Sequence, residues 1–275
     1  NEWLYINCIN LYGGLMDAFE KEVQLTADAV MKVDPTRPVM NDGGGAHKAQ
    51  TMPVHGDHYV FDPNDSRYPD LAYERNPKGG GRGRWEWDGK RPRFLGEDYF
   101  ANGINPFDYA YFGGEETFQG KAASRRAAGI IARMLNEGYR WAGFAAWHFW
   151  MGEGEAIGQY VSNAPRAVFC RQWNWTFGSR ETVTRTFRVY NDTQYSDPIT
   201  FRWTLAVSGK TVASESLPLR IPPGEYVEIK RALIMPTVSV PGTRAGGKLT
   251  LELIVGGKTV FTDTKALSVL APLKP

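Results

Sequence analysis

"RFLGEDYF", residues 93–100, runs through Phe94 and Leu95 to Gly96 and then presents a carboxylate, Glu97. A short apolar run bounded by loop residues reads as a buried strand. A strand this apolar tends to deliver its terminal carboxylate into a partly desolvated place, where acidity is tuned for chemistry. The alternative for Glu97 is a solvated or salt-bridged carboxylate at the start of a loop. What surrounds the strand has to separate the two.

On its N-terminal side, Leu15, Phe19, Val23, Ala27 and Val30 recur at helical spacing, and the helix should stop before Asp34 and Pro35, since proline disfavours helix in the residue before it. "RPVMNDGGG" (37–45) reads as a short strand, Val39 to Asn41, running into a glycine loop, and "VHGDHYV" (54–60) as another strand. The polar stretch from Phe61 to Arg91, which ends in "KGGGRGRWEWDGK" (78–90), is too long for an ordinary connection and reads as a functional lid or an insertion. On the C-terminal side a long loop leads to a helix expected to carry Ala123, Ala127, Ile130, Met134 and Leu135 on one face. "WAGFAAWHFW" (141–150) then reads as a strand with small residues at Ala142, Gly143, Ala145 and Ala146. Strand, loop and helix alternate, which predicts parallel strands with helices packed outside them.

The pattern changes near Ala164. "TVTRTFRVYND" (182–192), "ITFRWTLAVSG" (199–209), "YVEIKRALI" (226–234) and "KLTLELIVGGKTVFTD" (248–263) alternate and are β-branched. Turn signals lie at Asn191-Asp192, Ser208-Gly209, Pro223-Gly224 and Gly256-Gly257. This half reads as an antiparallel β-sandwich of immunoglobulin-like type, without the Cys-Trp-Cys signature of antibody domains. The expected division is an α/β region over residues 1–165 and a β-sandwich accessory domain over 166–275.

Composition narrows the function classes. A formal charge of +2 leaves no electrostatic footprint for nucleic acid or an anionic membrane, and no apolar run approaches the length of a membrane span. Cys8 and Cys170 are far apart and outside any metal-ligand spacing, so neither a disulfide framework nor a zinc site is implied. The nine Trp suit stacking on sugar faces as well as they suit packing. Trp85, Trp87, Trp147, Trp150, Trp173 and Trp175 are the candidate platforms.

If the parallel strands belong to a barrel, functional side chains should sit where strands end and loops begin. Glu2, Asp42, Tyr59, Glu97 and Trp147 all lie near predicted strand ends. Two carboxylates converging at one mouth could divide glycoside hydrolysis between them, one protonating the leaving oxygen and the other attacking the anomeric carbon. Glu2 and Glu97 are the natural pair. His55 and His58 flank Asp57, but positions three apart on a strand face opposite ways, and His47 and His148 offer no better partner set, so no metal is expected. No cofactor is expected either. "GGGRGR" (79–84) lacks the strand, helix and Lys-Ser/Thr context of a phosphate loop.

"DPTRPVMNDGGG" (34–45), "HGDHYV" (55–60), "FLGEDYF" (94–100) and "GYRWAGFAAWHFW" (138–150), in that order, resemble the second half of the catalytic barrel of glycoside hydrolase family 2. The resemblance covers roughly Asn1 to Met151, and "NAPRAVFCRQWNWTF" (163–177), together with the sandwich, is similar to the β-domains of multidomain members. It implies strands five to eight of a (β/α)8 barrel, with strands one to four supplied from before Asn1 or by a second chain. It also implies a retaining β-glycosidase with Glu2 as acid/base and Glu97 as nucleophile, about 5 to 5.5 Å apart. Tyr59 would hydrogen-bond the nucleophile and Trp147 would line the sugar subsite, with Asn1, Asp42, His58 and Trp150 completing the contacts to an oligosaccharide or polysaccharide. The fifth-strand segment looks most like the β-galactosidase branch. One departure is Asp98, directly after the nucleophile position. Pointing inward it would raise the pKa of Glu97, so it is expected to point away. An endo-acting, agarase-like polysaccharide hydrolase and a non-catalytic carbohydrate-binding protein remain the rival readings.

Overall fold

The computed structural model describes residues 16–40, 53–58, 87–98, 121–149 and 160–272, and these fall into two compact units, one up to residue 149 and the other from residue 160. The first unit opens with α1 (Met16–Val33). Asp34 ends it: its backbone N–H donates to Val30 O, while its carboxylate accepts from the backbone N–H and hydroxyl of Thr36 and from Arg37 Nε. These bonds, led by that from the Thr36 hydroxyl, hold the Asp34 carboxyl below its usual range. Ala27 and Val39 are fully buried against one another, with Val30 and Met31 packed beside them.

Strands β1 (His55–His58), β2 (Arg93–Asp98) and β3 (Ala146–Phe149) form a sheet in the order β1-β2-β3, and both pairings are parallel. Met40 forms an isolated parallel bridge with Val54. The segment expected to run as a strand from Val39 to Asn41 therefore contributes one bridge within the described residues. Strand neighbours follow chain order without reversal.

Between β2 and β3 lies α2 (Lys121–Trp141). Its buried stripe runs through Gly129, Ala132, Asn136 and Tyr139, and Ile130, expected on the packed face, is 39% exposed. Met134 and Leu135, expected on the packed face, are buried, and Gly129 and Asn136 are buried with them although an apolar count does not select them. From Met134 to Arg140 the helix is buried all round, with Glu137 paired to Arg133 at 2.7 Å. The strand expected from Trp141 begins only at Ala146, because Trp141 closes the helix and residues 142–145 turn the chain. Phe144 N–H donates to Tyr139 O, and Gly143 N–H donates to Arg140 O at a φ of 82°. The Tyr139 and Phe144 rings meet edge to face at 5.7 Å. This is a Schellman closure with its hydrophobic contact, and it needs a residue at ease in the left-handed region.

The second unit is a two-sheet sandwich. One sheet holds β4 (Arg166–Cys170), β6 (Thr182–Asn191) and β9 (Glu225–Ile234) in the order β4-β6-β9. The other holds β5 (Thr176–Gly178), β7 (Ile199–Val207), β8 (Lys210–Leu219), β10 (Arg244–Val255) and β11 (Lys258–Leu270) in the order β5-β11-β10-β7-β8. All pairings are antiparallel except β5 with β11. Strands one, three and six of this unit face strands two, eight, seven, four and five, an order of immunoglobulin type in which the second strand leaves its sheet to pair in parallel with the last. The sheets meet through contacts such as Phe187 with Phe201 at 5.5 Å. Ser208-Gly209 and Gly256-Gly257, all at positive φ, make the two-residue hairpin turns expected of them.

Asn191-Asp192 is not a tight hairpin turn. Asn191 is fully buried, and its amide donates to Tyr195 O and Ile221 O while its carbonyl oxygen accepts from Thr193 Oγ1 and Arg166 Nε. It thus pins a wider loop from within. Strand β8 is not evident from the sequence pattern: its residues are all half-buried or exposed, as suits an edge strand bearing Pro218 and charges.

At that edge Arg231 of β9 donates from Nε and Nη2 to the two carboxylate oxygens of Glu215 on β8, at 2.6 and 3.1 Å, and Trp203 Nε1 donates to the same group at 2.9 Å. The ion pair thereby ties one sheet to the other. Arg231 first, and Trp203 beside it, hold the Glu215 carboxyl below the ordinary glutamate range. A carboxyl depressed in the folded state stabilises the fold above its unfolded value and loses that contribution as pH falls through the folded value. Thermal melts of the chain and of Glu215→Gln should therefore differ by about 1 kcal/mol near neutral pH and converge as the pH falls below the ordinary glutamate range. Equal acid sensitivity in both would remove the ion pair from this role. At the α2 closure, Gly143→Ala should cost about 1 kcal/mol by denaturant titration, since an added Cβ meets nothing within 4 Å and the cost is conformational.

Candidate active site

The C-terminal ends of parallel strands are where an α/β sheet presents its site. Register decides what meets there. On β1 and β2, Asp57 pairs with Leu95 and His58 with Glu97, so one residue step on β1 matches two on β2. On β2 and β3, Leu95 pairs with Trp147 and Asp98 with Phe149, so two steps on β3 match three on β2. Both neighbours thus find one extra residue in β2 just after Leu95. That is a β-bulge, and Gly96 stands in it.

The rows that result are unequal in surroundings. Asp57, Leu95 and Trp147 form one row. The Trp147 ring, half-buried, lies 5.7 Å from Tyr139 of α2, so this row faces the helix. In the same face but one row lower, His55 pairs with Arg93, both fully buried. The Arg93 guanidinium sits over the Phe144 ring at 4.1 Å and the Trp87 ring at 5.6 Å, and Arg91 Nη2 approaches His55 Nδ1 at 3.4 Å.

The turn that leads into β2 is organised by Asp88. Its carboxylate accepts from the backbone N–H groups of Lys90 and Arg91 and from Arg91 Nε, while Trp87 Nε1 donates to Arg91 O. The Lys90 N–H is the largest of the influences that lower the Asp88 carboxyl to about 2. This cluster lies at the N-terminal end of the strands, the end that serves stability in such sheets.

Of the residues expected to form the site, Glu97 and His58 are register partners at the C-terminal end of the sheet, and Trp147 is one row below them. Asp98 pairs with Phe149, which shares the Trp147 face by alternation, so Asp98 and Glu97 occupy opposite faces of β2 at the backbone level. His55 and His58 also belong to opposite faces. Asn1, Glu2, Asp42, Tyr59 and Trp150 lie outside the described residues, as do Trp85 and His47. Among the described residues no three His, Cys, Asp or Glu side chains gather as a metal group.

Trp173 and Trp175, read as stacking candidates, belong to the sandwich. Lys265 Nζ lies 4.3 Å over the Trp173 ring and the Arg185 guanidinium 5.1 Å over Trp175, so a cation covers one face of each.

No family model matches the chain, and no curated protein does. Among solved structures it is similar to a β-glucuronidase from glycoside hydrolase family 2, with a TM-score of 0.28 and 16% identity over 40% of this chain and 11% of that one. It is likewise similar to a β-glucosidase from Listeria innocua in complex with gluconolactone, at 0.29 and 11% over 40% and 16%. A glycosyl hydrolase family 2 member from Bacteroides cellulosilyticus DSM 14838 gives 0.28 and 12% over 37% and 14%. The chain spans between 11% and 16% of the length of these structures, and at such TM-scores the likeness decides neither fold nor function.

Proposed function

We propose that the chain carries the nucleophile-bearing part of a retaining β-glycosidase of the glycoside hydrolase family 2 kind, with Glu97 as the nucleophile. The observation that supports this most is the sequential parallel sheet whose central strand carries Glu97 one residue before its C-terminal end. Parallel neighbours in chain order are what a run of consecutive barrel strands presents. In this reading β1, β2 and β3 are strands six, seven and eight of a (β/α)8 barrel, and Met40 belongs to strand five. Strands one to four come from the same polypeptide or a second chain. Glu2 is the acid/base, which protonates the leaving oxygen and then activates water, while Glu97 attacks the anomeric carbon and departs as the glycosyl ester is hydrolysed.

The other expected contacts belong to the same proposal. Tyr59 donates to the nucleophile, and Asn1, Asp42, His58 and Trp150 hold the sugar, with Trp147, whose ring lies against Tyr139, behind them. The substrate class proposed first is a terminal β-galactoside. The sandwich over residues 166–275 serves as an accessory domain.

Assay of the complete assembly on aryl β-galactoside, glucuronide, mannoside and glucoside tests this. Turnover of one of them should fall by at least about a thousandfold in Glu97→Gln, the scale of losing a covalent catalyst. Turnover that survives the substitution removes Glu97 from the mechanism. Cleavage of a polymer in place of every aryl glycoside moves the assignment to the endo-acting class.

A further inference from the structure

The two sheets of the sandwich end in four edge strands, and three of these carry a feature that discourages a further strand. Strand β5 is three residues long. Strand β4 is five residues long, with Ala167 to Cys170 fully buried. Strand β8 carries Pro218, and its register against β7 shifts between Leu205 and Ala206. Strand β9 has none of these. It is ten residues long without proline, and it pairs with β6 in unbroken register from Glu225 to Ile234. Among the described residues no strand pairs with its other flank. The Glu215–Arg231 pair ties β9 to the opposite sheet through side chains and leaves the backbone N–H and C=O groups of that flank in place. A long, regular edge of this kind is a template for another strand.

The side chains of β9 specify which strand. Ile229, the register partner of Phe187, belongs to the face turned to the other sheet, since Phe187 meets Phe201 there. By alternation Tyr226, Glu228, Lys230 and Ala232 face away, and all four are exposed. Glu228 accepts from Arg188 Nε at 3.0 Å, and its other oxygen lies 4.0 Å from Lys230 Nζ. The Arg188 guanidinium also lies over the Tyr226 ring at 4.3 Å. When a second β9 is laid antiparallel beside the first with Ile229 opposite Ile229, Glu228 falls opposite Lys230 of the second copy, and Lys230 opposite its Glu228. Tyr226 falls opposite Ala232, a large side chain beside a small one. Moving the centre of the pair to residue 228 or 230 sets Glu228 against Glu228 or Lys230 against Lys230, and like charges directly opposite one another destabilise a strand pair. The charges therefore favour one register.

We propose that β9 is a homodimer interface, where two copies of the chain join antiparallel about Ile229 and two three-stranded sheets become one sheet of six. Glu228 is then held between Arg188 of its own copy and Lys230 of the other. The pairing makes no use of the glycosidase reading and is tested apart from it.

Sedimentation equilibrium of the complete assembly, at concentrations up to about 100 µM, should show two copies of this chain per particle. Lys230→Glu and Glu228→Lys should each raise the dissociation constant roughly tenfold or more, because each sets like charges opposite one another twice. The Lys230 side chain is 68% exposed, so its substitution leaves the single copy folded. The two variants mixed together should dimerise with the affinity of the parent, since opposite charges again face one another at both positions. A parent that stays single at the highest concentration overturns the proposal. Slow hydrogen exchange along both flanks of β9 in such a single particle overturns it too, by making a segment of the same particle the occupant of the edge. A dimer indifferent to both substitutions, or variants that fail to recover affinity on mixing, places the contact elsewhere and overturns it as well.

Discussion

Strand β2 has a hydrogen-bonded neighbour on each flank, and the two neighbours must agree on where each of its residues stands. That double pairing is the constraint on which the first unit depends. A register slip against β1 alone would move residues from one face to the other, and the pairing with β3 forbids it. Both flanks accept the same single irregularity, after Leu95. Below it, Arg93 and Leu95 are fully buried on the helix side, with Arg93 stacked on Phe144 and Leu95 in the row of Trp147. Above it, the register carries one extra residue and Glu97 pairs with His58.

The helix side is fixed with equal economy. Tyr139 contacts both Phe144 and Trp147, at 5.7 Å each, so a residue in the last turn of α2 also touches the strand after it. The Schellman closure at Gly143 sets the angle at which the chain leaves the helix, and Ala145 N–H already donates to Arg93 O before β3 begins. In the sandwich the corresponding problem is how to seal two open edges. On one side the chain itself crosses between sheets from β4 to β5, with Arg185 donating to Asn174 O at 2.6 Å and lying over Trp175. On the other, Glu215 and Arg231 bridge β8 and β9.

Much of this architecture was legible in the residues. The alternating β-branched runs gave the long strands, the diglycine and Ser-Gly pairs gave the hairpins, and Pro35 gave the end of α1. Three features resisted. The buried side of α2 includes Gly129 and Asn136 beside Met134 and Leu135, and no hydrophobicity count selects the first two. "WAGFAAWHFW" reads as one strand because alanine and glycine do not announce a helix end, and only the φ of Gly143 shows where it falls. The weakly patterned β8 is an edge strand with little burial to impose alternation. In the candidate region, the place of Glu97 next to the end of a strand was legible from its own segment. Its register partnership with His58 was not, because a bulge shifts register between strands and leaves each strand's own sequence unchanged.

The chemistry proposed for Glu97 requires a covalent bond between its carboxylate and a sugar, and that bond is the most direct thing to observe. A fluorosugar inactivator of the matching configuration, which forms a long-lived glycosyl ester, should be incubated with the complete assembly and the labelled peptide mapped by mass spectrometry. The account predicts one sugar per assembly, on the peptide containing residues 93–98 and at Glu97. A label on Asp98 or on another peptide would contradict it. So would an assembly that hydrolyses the parent glycoside and never acquires a label.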